Sequence, residues 1–325
     1  MILNFTNTTE NLVDNGYIFD FLQIFVNTTF IFYGFITNLI NSMVFMHSKL
    51  RSNSTFNYFL VIALANSIYM GVSFFYFVTR CRLICSFANS YASQLYLFIF
   101  CNYIKNIAAF VVLFFQITVS FQRFLIISNI TKIKIPNIFL LLVVFILFSA
   151  GFNLPVVLSR EIIKLPFKNG TQKEEFTLIF NDYGKSLFSK WFIISINIFR
   201  SVFLTSLVFI INILSLIEFR KSIEKKRKIK LSNKGDEESN ESKANRNLTR
   251  MVIIMSFIYF GGNIPNIVTY ILQQFLDNNG IVYRAYFFLV GIIYLGTQSS
   301  DILVFLKFNK VYRQTFKKMF TFKIK

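Results

Sequence analysis

Seven long apolar stretches constrain the fold of this chain more than any other feature of its sequence. The third stretch, residues 96–127, is long enough to cross the hydrocarbon core of a bilayer as a helix. Backbone groups inside a bilayer have no water to bind, so a chain that crosses it forms helices or a closed barrel. The apolar runs are continuous rather than alternating, which excludes a barrel. The predicted fold class is therefore an all-α membrane protein, a seven-transmembrane helix bundle.

The predicted boundaries divide the 325-residue chain into this bundle, two ends and one long loop. An acidic N-terminal tail covers residues 1–20, and a charged third loop covers residues 220–248. Residues 307–325 repeat aromatic and basic side chains at helical spacing, which predicts a short amphipathic eighth helix on the membrane surface and a cytosolic tail. The predicted spans, numbered one to seven, cover about residues 21–46, 56–79, 96–127, 136–158, 191–219, 249–275 and 283–306.

The distribution of charge predicts the orientation of the bundle. The net charge is +19, and most Lys and Arg residues lie in the loops after spans one, three and five and in the C-terminal tail. This asymmetry predicts a multi-pass plasma-membrane protein with its N-terminus outside and its C-terminus in the cytosol. Contact with anionic lipid of the bilayer explains the basic surface, so nucleic acid is not an expected partner. Glycosylation is predicted at the sequons of Asn4, Asn7 and Asn169 on the outer side.

Short motifs in the spans resemble those of a rhodopsin-like (class A) G-protein-coupled receptor. Residues 62–66 are similar to the family's Leu-Ala-Leu-Ala-Asp, and residues 122–124 are similar to its Asp-Arg-Tyr. Residues 263–265 stand where the family has Trp-Leu-Pro, and residues 301–305 stand where it has Asn-Pro-x-x-Tyr. Each motif is weak alone, and their order and spacing carry the resemblance. The resemblance assigns the switch and G-protein coupling to Asn38, Asn66, Gln122, Arg123, Phe124, Asn263, Pro265, Asp301 and Phe305.

The resemblance implies a receptor that binds an extracellular ligand and activates a heterotrimeric G protein. In the family, the inner end of span six moves outward and the arginine that corresponds to Arg123 then contacts the G protein. Pro265 predicts a kink in span six, and Gly261 and Gly262 are expected to soften that helix. No enzyme activity, catalytic residue or cofactor is expected, and His47 with three Cys offers no metal site. The alternatives are a transporter or channel, or a receptor-like protein that no longer couples.

Several residues depart from the family pattern. Gln122 replaces the carboxylate that usually precedes Arg123, and the position in span six that often pairs with this arginine falls near Asn245, which is also neutral. One hypothesis is neutral drift within the family, and the other is a weaker inactive-state restraint with higher basal signalling. Asn66 and Asp301 exchange the family's Asp and Asn, which leaves one amide and one carboxylate able to face each other.

The cysteines also depart from the pattern. The family's usual disulfide joins the outer end of span three to the loop after span four, but residues 159–190 contain no Cys. Cys81, Cys85 and Cys101 either pair locally or leave Cys101 as a buried thiol. With Asn263 in place of the family's Trp, these losses indicate a divergent receptor, such as an invertebrate chemosensory or peptide-type receptor.

Two cations inside the spans suggest the chemistry of the ligand. Lys105 lies about 27 Å along the helix from Arg123, and Arg200 lies about 13 Å into span five from Trp191. A buried cation is costly, so one hypothesis is that an anionic group of the ligand neutralises these two. The alternative is that Lys105 extends to the outer interface and Arg200 bonds backbone carbonyls or faces water. The complete set of predicted ligand-binding residues is Lys105, Arg200, Asn102, Asn106, Tyr270 and Gln273.

Overall fold

A computed structural model describes residues 6–51, 53–76, 79, 87–130, 136–165, 174–232, 240–272 and 281–320. Within these residues, seven helices are long and apolar enough to cross a membrane, which confirms the predicted bundle. Spans one to seven are Ile24–Met46, Ser54–Ser73, Tyr91–Ile127, Ile138–Leu158, Leu187–Glu224, Arg246–Pro265 and Ala285–Phe308.

The helices extend beyond the apolar spans at several ends. The first begins at Thr6 and has 41 residues, so most of the predicted N-terminal tail continues the helix of span one. Spans three and five each contain a π-helical segment, Leu97–Ile104 and Phe199–Leu204. The α-helical segments are Thr6–Met46, Ser48–Arg51, Ser54–Ser73, Tyr91–Tyr96, Lys105–Ile127, Ile138–Leu158, Asp182–Lys185, Leu187–Ile198, Thr205–Ser232, Asn240–Leu272, Ile281–Ser299, Asp301–Phe308 and Lys310–Phe320.

An aromatic cluster packs the predicted cytosolic half of the bundle around Phe45 of span one. The Phe45 ring is fully buried and lies edge-on to Phe305 of span seven, with a centroid distance of 4.9 Å. Its centroid lies 6.0 Å from that of Phe59 in span two and 5.4 Å from that of Tyr312. Aromatic pairs in these geometries add to the free energy gained by burying their area. The cluster therefore joins three spans to the C-terminal helix.

The C-terminal helix, Lys310–Phe320, is held to span one by Tyr312. The Tyr312 hydroxyl donates a hydrogen bond of 2.6 Å to Oδ1 of Asn41. Burial, to which the charge of Asp301 adds, raises the pKa of Tyr312 above its ordinary value. Tyr312 is therefore a neutral donor at physiological pH, and the docked helix is the predicted amphipathic eighth helix.

Spans six and seven approach closely at Gly262. A methyl group at Gly262 would overlap the side chain of Thr297 in span seven, whereas a methyl group at Gly261 would meet no other atom. Small residues allow such close contact between membrane helices. The sequence predicts only that both glycines soften span six, and the structure shows that Gly262 is also a packing position.

A two-stranded antiparallel hairpin lies between spans four and five. Strand β1 is Arg160–Lys164 and strand β2 is Phe176–Phe180, with Ile162 opposite Leu178. The sequence predicts only a loop in this region. The β-branched residues in both strands suit a pleated, half-buried surface.

Hydrogen bonds hold this hairpin to the N-terminal end of span three, where the family pattern would place a disulfide. Oε1 of Gln94 accepts from the backbone N–H of Leu178 at 2.9 Å, and its Nε2 donates to the Ala88 carbonyl at 2.7 Å. The backbone N–H of Phe176 donates to the Asn89 carbonyl at 2.8 Å. Gln94 is only 7% exposed, so these bonds are shielded from water.

Substitution Gly262→Ala is expected to destabilise the bundle, because the new methyl group forces span six away from Thr297. The thermal unfolding midpoint of the purified protein in detergent should fall. Gly261→Ala is the matched control, and its midpoint should stay equal or rise slightly, because alanine is the better helix former. Equal midpoints for the two variants would contradict the packing role of Gly262.

Substitution Gln94→Ala is expected to loosen the hairpin, because it leaves the Leu178 N–H without its acceptor. Losing a partner of a buried group costs about 1–3 kcal/mol. Backbone hydrogen exchange in strands Arg160–Lys164 and Phe176–Phe180 should therefore accelerate. Gln116→Ala, on the same span, is the control because its side-chain oxygen accepts no hydrogen bond from the described residues. Unchanged exchange in Gln94→Ala would show that the hairpin is held by other contacts.

Candidate functional site

A cavity of about 380 Å³ lies in the half of the bundle opposite Arg123, and residues from all seven spans line it. Four of the predicted ligand-binding residues line this cavity: Lys105, Arg200, Asn102 and Asn106. Asn263, which the resemblance assigns to the switch, lines it as well. The cavity therefore brings spans three, five and six together around polar side chains.

Some predicted site residues have side chains that the structure does not describe. The side chains of Tyr270 and Gln273 lie outside those that the structure describes. The same holds for the predicted glycosylation sites Asn4, Asn7 and Asn169. These five assignments stay predictions.

The π-helical segments of spans three and five each contribute side chains to the cavity wall. Asn102 lies in the first segment, and its Nδ2 donates to the carbonyl of Leu97, five residues earlier, at 2.8 Å. Arg200 lies in the second segment, and its carbonyl accepts from Oγ1 of Thr205 at 3.3 Å. An inserted residue rotates the following turn by about 100°. Lys105, which begins the next α-helical segment, is therefore positioned by the first π segment.

Lys105 lies close to two aromatic rings, Tyr69 in span two and Tyr76 just after it. Its Nζ lies 4.2 Å from the ring centroid of Tyr76 and 5.7 Å from that of Tyr69. A partly desolvated ammonium over an aromatic face is stabilised by the ring quadrupole. These contacts are within the bundle, and they leave the formal positive charge at the cavity wall.

Arg200 is joined to span three by a side-chain amide. Its Nη1 donates to Oδ1 of Asn106 at 2.6 Å, and its guanidinium carbon lies 5.8 Å from the ring centroid of Phe110. Nδ2 of Asn106 donates to the Asn102 carbonyl at 2.9 Å, which turns the amide oxygen toward Arg200. Two predicted ligand-binding residues are thus hydrogen-bonded across spans three and five.

Arg160 is a cavity residue that sequence analysis does not identify. It follows the end of span four as the first residue of β1, and its guanidinium carbon lies 5.0 Å from the ring centroid of Phe180. The available sequence signal is an arginine directly after an apolar span, which is common at membrane interfaces and therefore weak. The described lining residues of the cavity include Lys105, Arg160 and Arg200 but no Asp or Glu. The described part of the cavity wall is therefore positively charged.

Residues 25–323 match the model of the family described as serpentine type 7TM GPCR chemoreceptor Srw. The chain belongs to this family. It is a receptor of the G-protein-coupled type in the membrane, not an enzyme, and the match confirms the prediction of a chemosensory-type member. No curated protein matches the chain.

At the other end of the receptor, Arg123 is bound to the start of span two. It is 2% exposed, and its Nη2 donates to Oγ1 of Thr55. The Thr55 hydroxyl donates to Oε1 of Gln122 at 3.0 Å, and Nε2 of Gln122 donates to Oγ of Ser54 at 2.9 Å. Asn53 caps this helix by accepting from the Thr55 N–H at 3.0 Å. Neutral side chains thus hold Arg123, in place of the carboxylates that the family pattern provides.

Asn38, Asn66 and Asp301 are the polar switch residues of spans one, two and seven. Nδ2 of Asn38 donates to the carbonyls of Gly34 and Gln298, at 2.8 and 3.3 Å. Asn66 is 2% exposed, and its Nδ2 has no hydrogen-bond partner among the described residues. Within that part of the chain no hydrogen bond joins Asn66 to Asp301, which follows the interruption of the span-seven helix. The opposition of these two residues stays a prediction.

The remaining switch residues lie in span six beside the cavity, in the aromatic cluster, and next to Arg123 in the sequence. Nδ2 of Asn263 donates to the Tyr259 carbonyl at 2.7 Å, and the Pro265 carbonyl accepts from the Tyr286 hydroxyl of span seven at 2.9 Å. Phe305 is buried in the cluster around Phe45. Phe124, which follows Arg123 in the sequence, is half-buried.

Substitution Thr55→Val is expected to release Arg123, because valine keeps the shape of threonine but removes the hydroxyl that bonds both Arg123 and Gln122. Ligand-independent G-protein activation should rise several-fold at matched surface expression. Thr118→Val is the control, since that hydroxyl bonds only the Phe114 carbonyl of its own helix. Basal activity equal to wild type in Thr55→Val would show that this hydroxyl does not restrain Arg123.

Proposed function

We propose that this receptor binds an anionic extracellular ligand in the cavity lined by Lys105, Arg160 and Arg200, and that it activates a heterotrimeric G protein in response. One observation supports the ligand class above all others. Three cationic side chains from three parts of the chain contribute to one cavity, and its described lining residues include no carboxylate.

The chemistry of these cations favours acidic ligands. Interactions between charges are strengthened in a partly desolvated site, so a cationic ligand would be repelled and a carboxylate, sulfate or acidic peptide group attracted. Guanidinium groups form paired hydrogen bonds with such anions. The amides of Asn102 and Asn106 provide further polar contacts at the same wall.

Transmission to the G protein is proposed to run through span six. Asn263 lines the cavity two residues before Pro265, so a ligand that contacts Asn263 acts next to the Pro265 carbonyl, which accepts from Tyr286 in span seven. A ligand shifts such an equilibrium only by binding one state more tightly than the other. Outward movement of span six would then expose Arg123 to the G protein. This direction requires the N-terminus outside and the C-terminus in the cytosol, as the basic loops predict.

The test measures G-protein activation in cells that express the receptor, with a panel of carboxylates, sulfates and acidic peptides. Lys105→Gln and Arg200→Gln are each expected to lower agonist potency at least tenfold, because tenfold corresponds to only about 1.4 kcal/mol. The control is Lys190→Gln, an exposed cation at the start of span five, which should leave potency unchanged.

Further outcomes test the coupling, the anionic site and the alternative functions separately. Arg123→Ala should abolish signalling while ligand binding persists. Unchanged potency in both cavity variants at normal surface expression would reject the anionic site. Ligand binding without any signal in the wild type would instead indicate a receptor that no longer couples, and ligand uptake would indicate a transporter.

A further inference from the structure

A second chamber adjoins the main cavity on the side of the hairpin. Its volume is also about 380 Å³, and it lies between the end of span two, the start of span three and strand β2. Tyr76, Asn102 and Arg160 line both chambers, so these three residues form the boundary that we call the neck. The described lining residues of the outer chamber, like those of the inner one, include no Asp or Glu.

Arg160 holds its place in the neck because the backbone around it is fixed. The residue before it, Ser159, accepts a hydrogen bond of 3.2 Å from the N–H of Asn181, and Nδ2 of Asn181 donates to the Leu158 carbonyl at 2.8 Å. Arg160 is paired with Phe180 across the hairpin, and its guanidinium faces the Phe180 ring. A side chain supported in this way can bind a ligand without first losing much conformational freedom.

The other two cations belong to the inner chamber. The Lys105 Nζ lies 5.7 Å from the ring centroid of Tyr69, another residue of the inner chamber, and 4.2 Å from that of the neck residue Tyr76. Arg200 bonds Asn106, the residue after Lys105, and neither Lys105 nor Arg200 lines the outer chamber. The cations therefore form an inner centre, Lys105 and Arg200, which lines only the inner chamber, and a second centre, Arg160, which lines both chambers.

We propose that the ligand of this receptor carries two separated acidic groups. One group binds Lys105 and Arg200 in the inner chamber, and the other binds Arg160 at the neck, with the polar outer chamber admitting the ligand. This inference rests on the proposed anionic function. It adds that a ligand with one acidic group occupies only the inner centre, so Arg160 determines the selection of two-group ligands.

The experiment measures ligand binding to the purified full-length receptor by thermal shift, which does not depend on coupling. The probes are linear dicarboxylates and diphosphonates of increasing chain length, each compared with the monoacid of equal length. At one preferred length the diacid should bind wild type at least tenfold more tightly than its monoacid. Arg160→Gln should remove this preference by weakening only the diacid, whereas Lys105→Gln should weaken both.

Two controls separate charge from folding. Arg160→Lys keeps the charge and should retain part of the preference, whereas Lys164→Gln changes an exposed cation of the same strand and should retain all of it. Equal affinity of wild type for diacids and monoacids, or equal weakening of both by Arg160→Gln, overturns the two-group inference alone. Binding of neither probe class to a folded wild-type receptor overturns the anionic ligand together with this inference.

Discussion

The free-energy cost of an unbonded polar group in hydrocarbon governs the structure of this receptor. Hydroxyl and amide groups inside the spans avoid that cost by donating hydrogen bonds to carbonyls of their own helices, as Ser67 does to Ala63 and Asn153 does to Ser149. The same solution stabilises the π segment of span three, where the Asn102 amide binds the Leu97 carbonyl. Because these polar groups bond within their own helices, most helix surfaces stay apolar, and the spans pack through aromatic and small side chains.

Two arginines inside the bundle, Arg123 and Arg200, bond side chains of other helices and so link different parts of the bundle. Arg200 in span five bonds Asn106 in span three, and Arg123 at the end of span three bonds Thr55 at the start of span two. The first contact lies at the cavity wall and the second at the opposite end of the receptor. Because span three carries one partner of each contact, its position relative to spans two and five links the two ends.

Hydrogen bonds hold the hairpin where the family pattern has a disulfide. A disulfide would fix the loop after span four to span three, but here the Gln94 amide bonds both the Leu178 N–H and the Ala88 carbonyl. Such bonds break and re-form far more readily than a disulfide. They also hold the hairpin that carries Arg160, so the outer chamber depends on a contact that no cysteine pattern reveals.

Hydropathy, helical periodicity and motif order along the chain predict the seven spans, the all-α class, the amphipathic C-terminal helix and the resemblance to G-protein-coupled receptors. They also single out Lys105 and Arg200 as unusual cations. The packing of the helices alone brings Lys105, Arg200 and Arg160 to one cavity and Gly262 against Thr297. The sequence cannot show this because the direction of a side chain depends on helix phase, which the two π segments change, and on partners such as Asn106 that lie far away in the sequence.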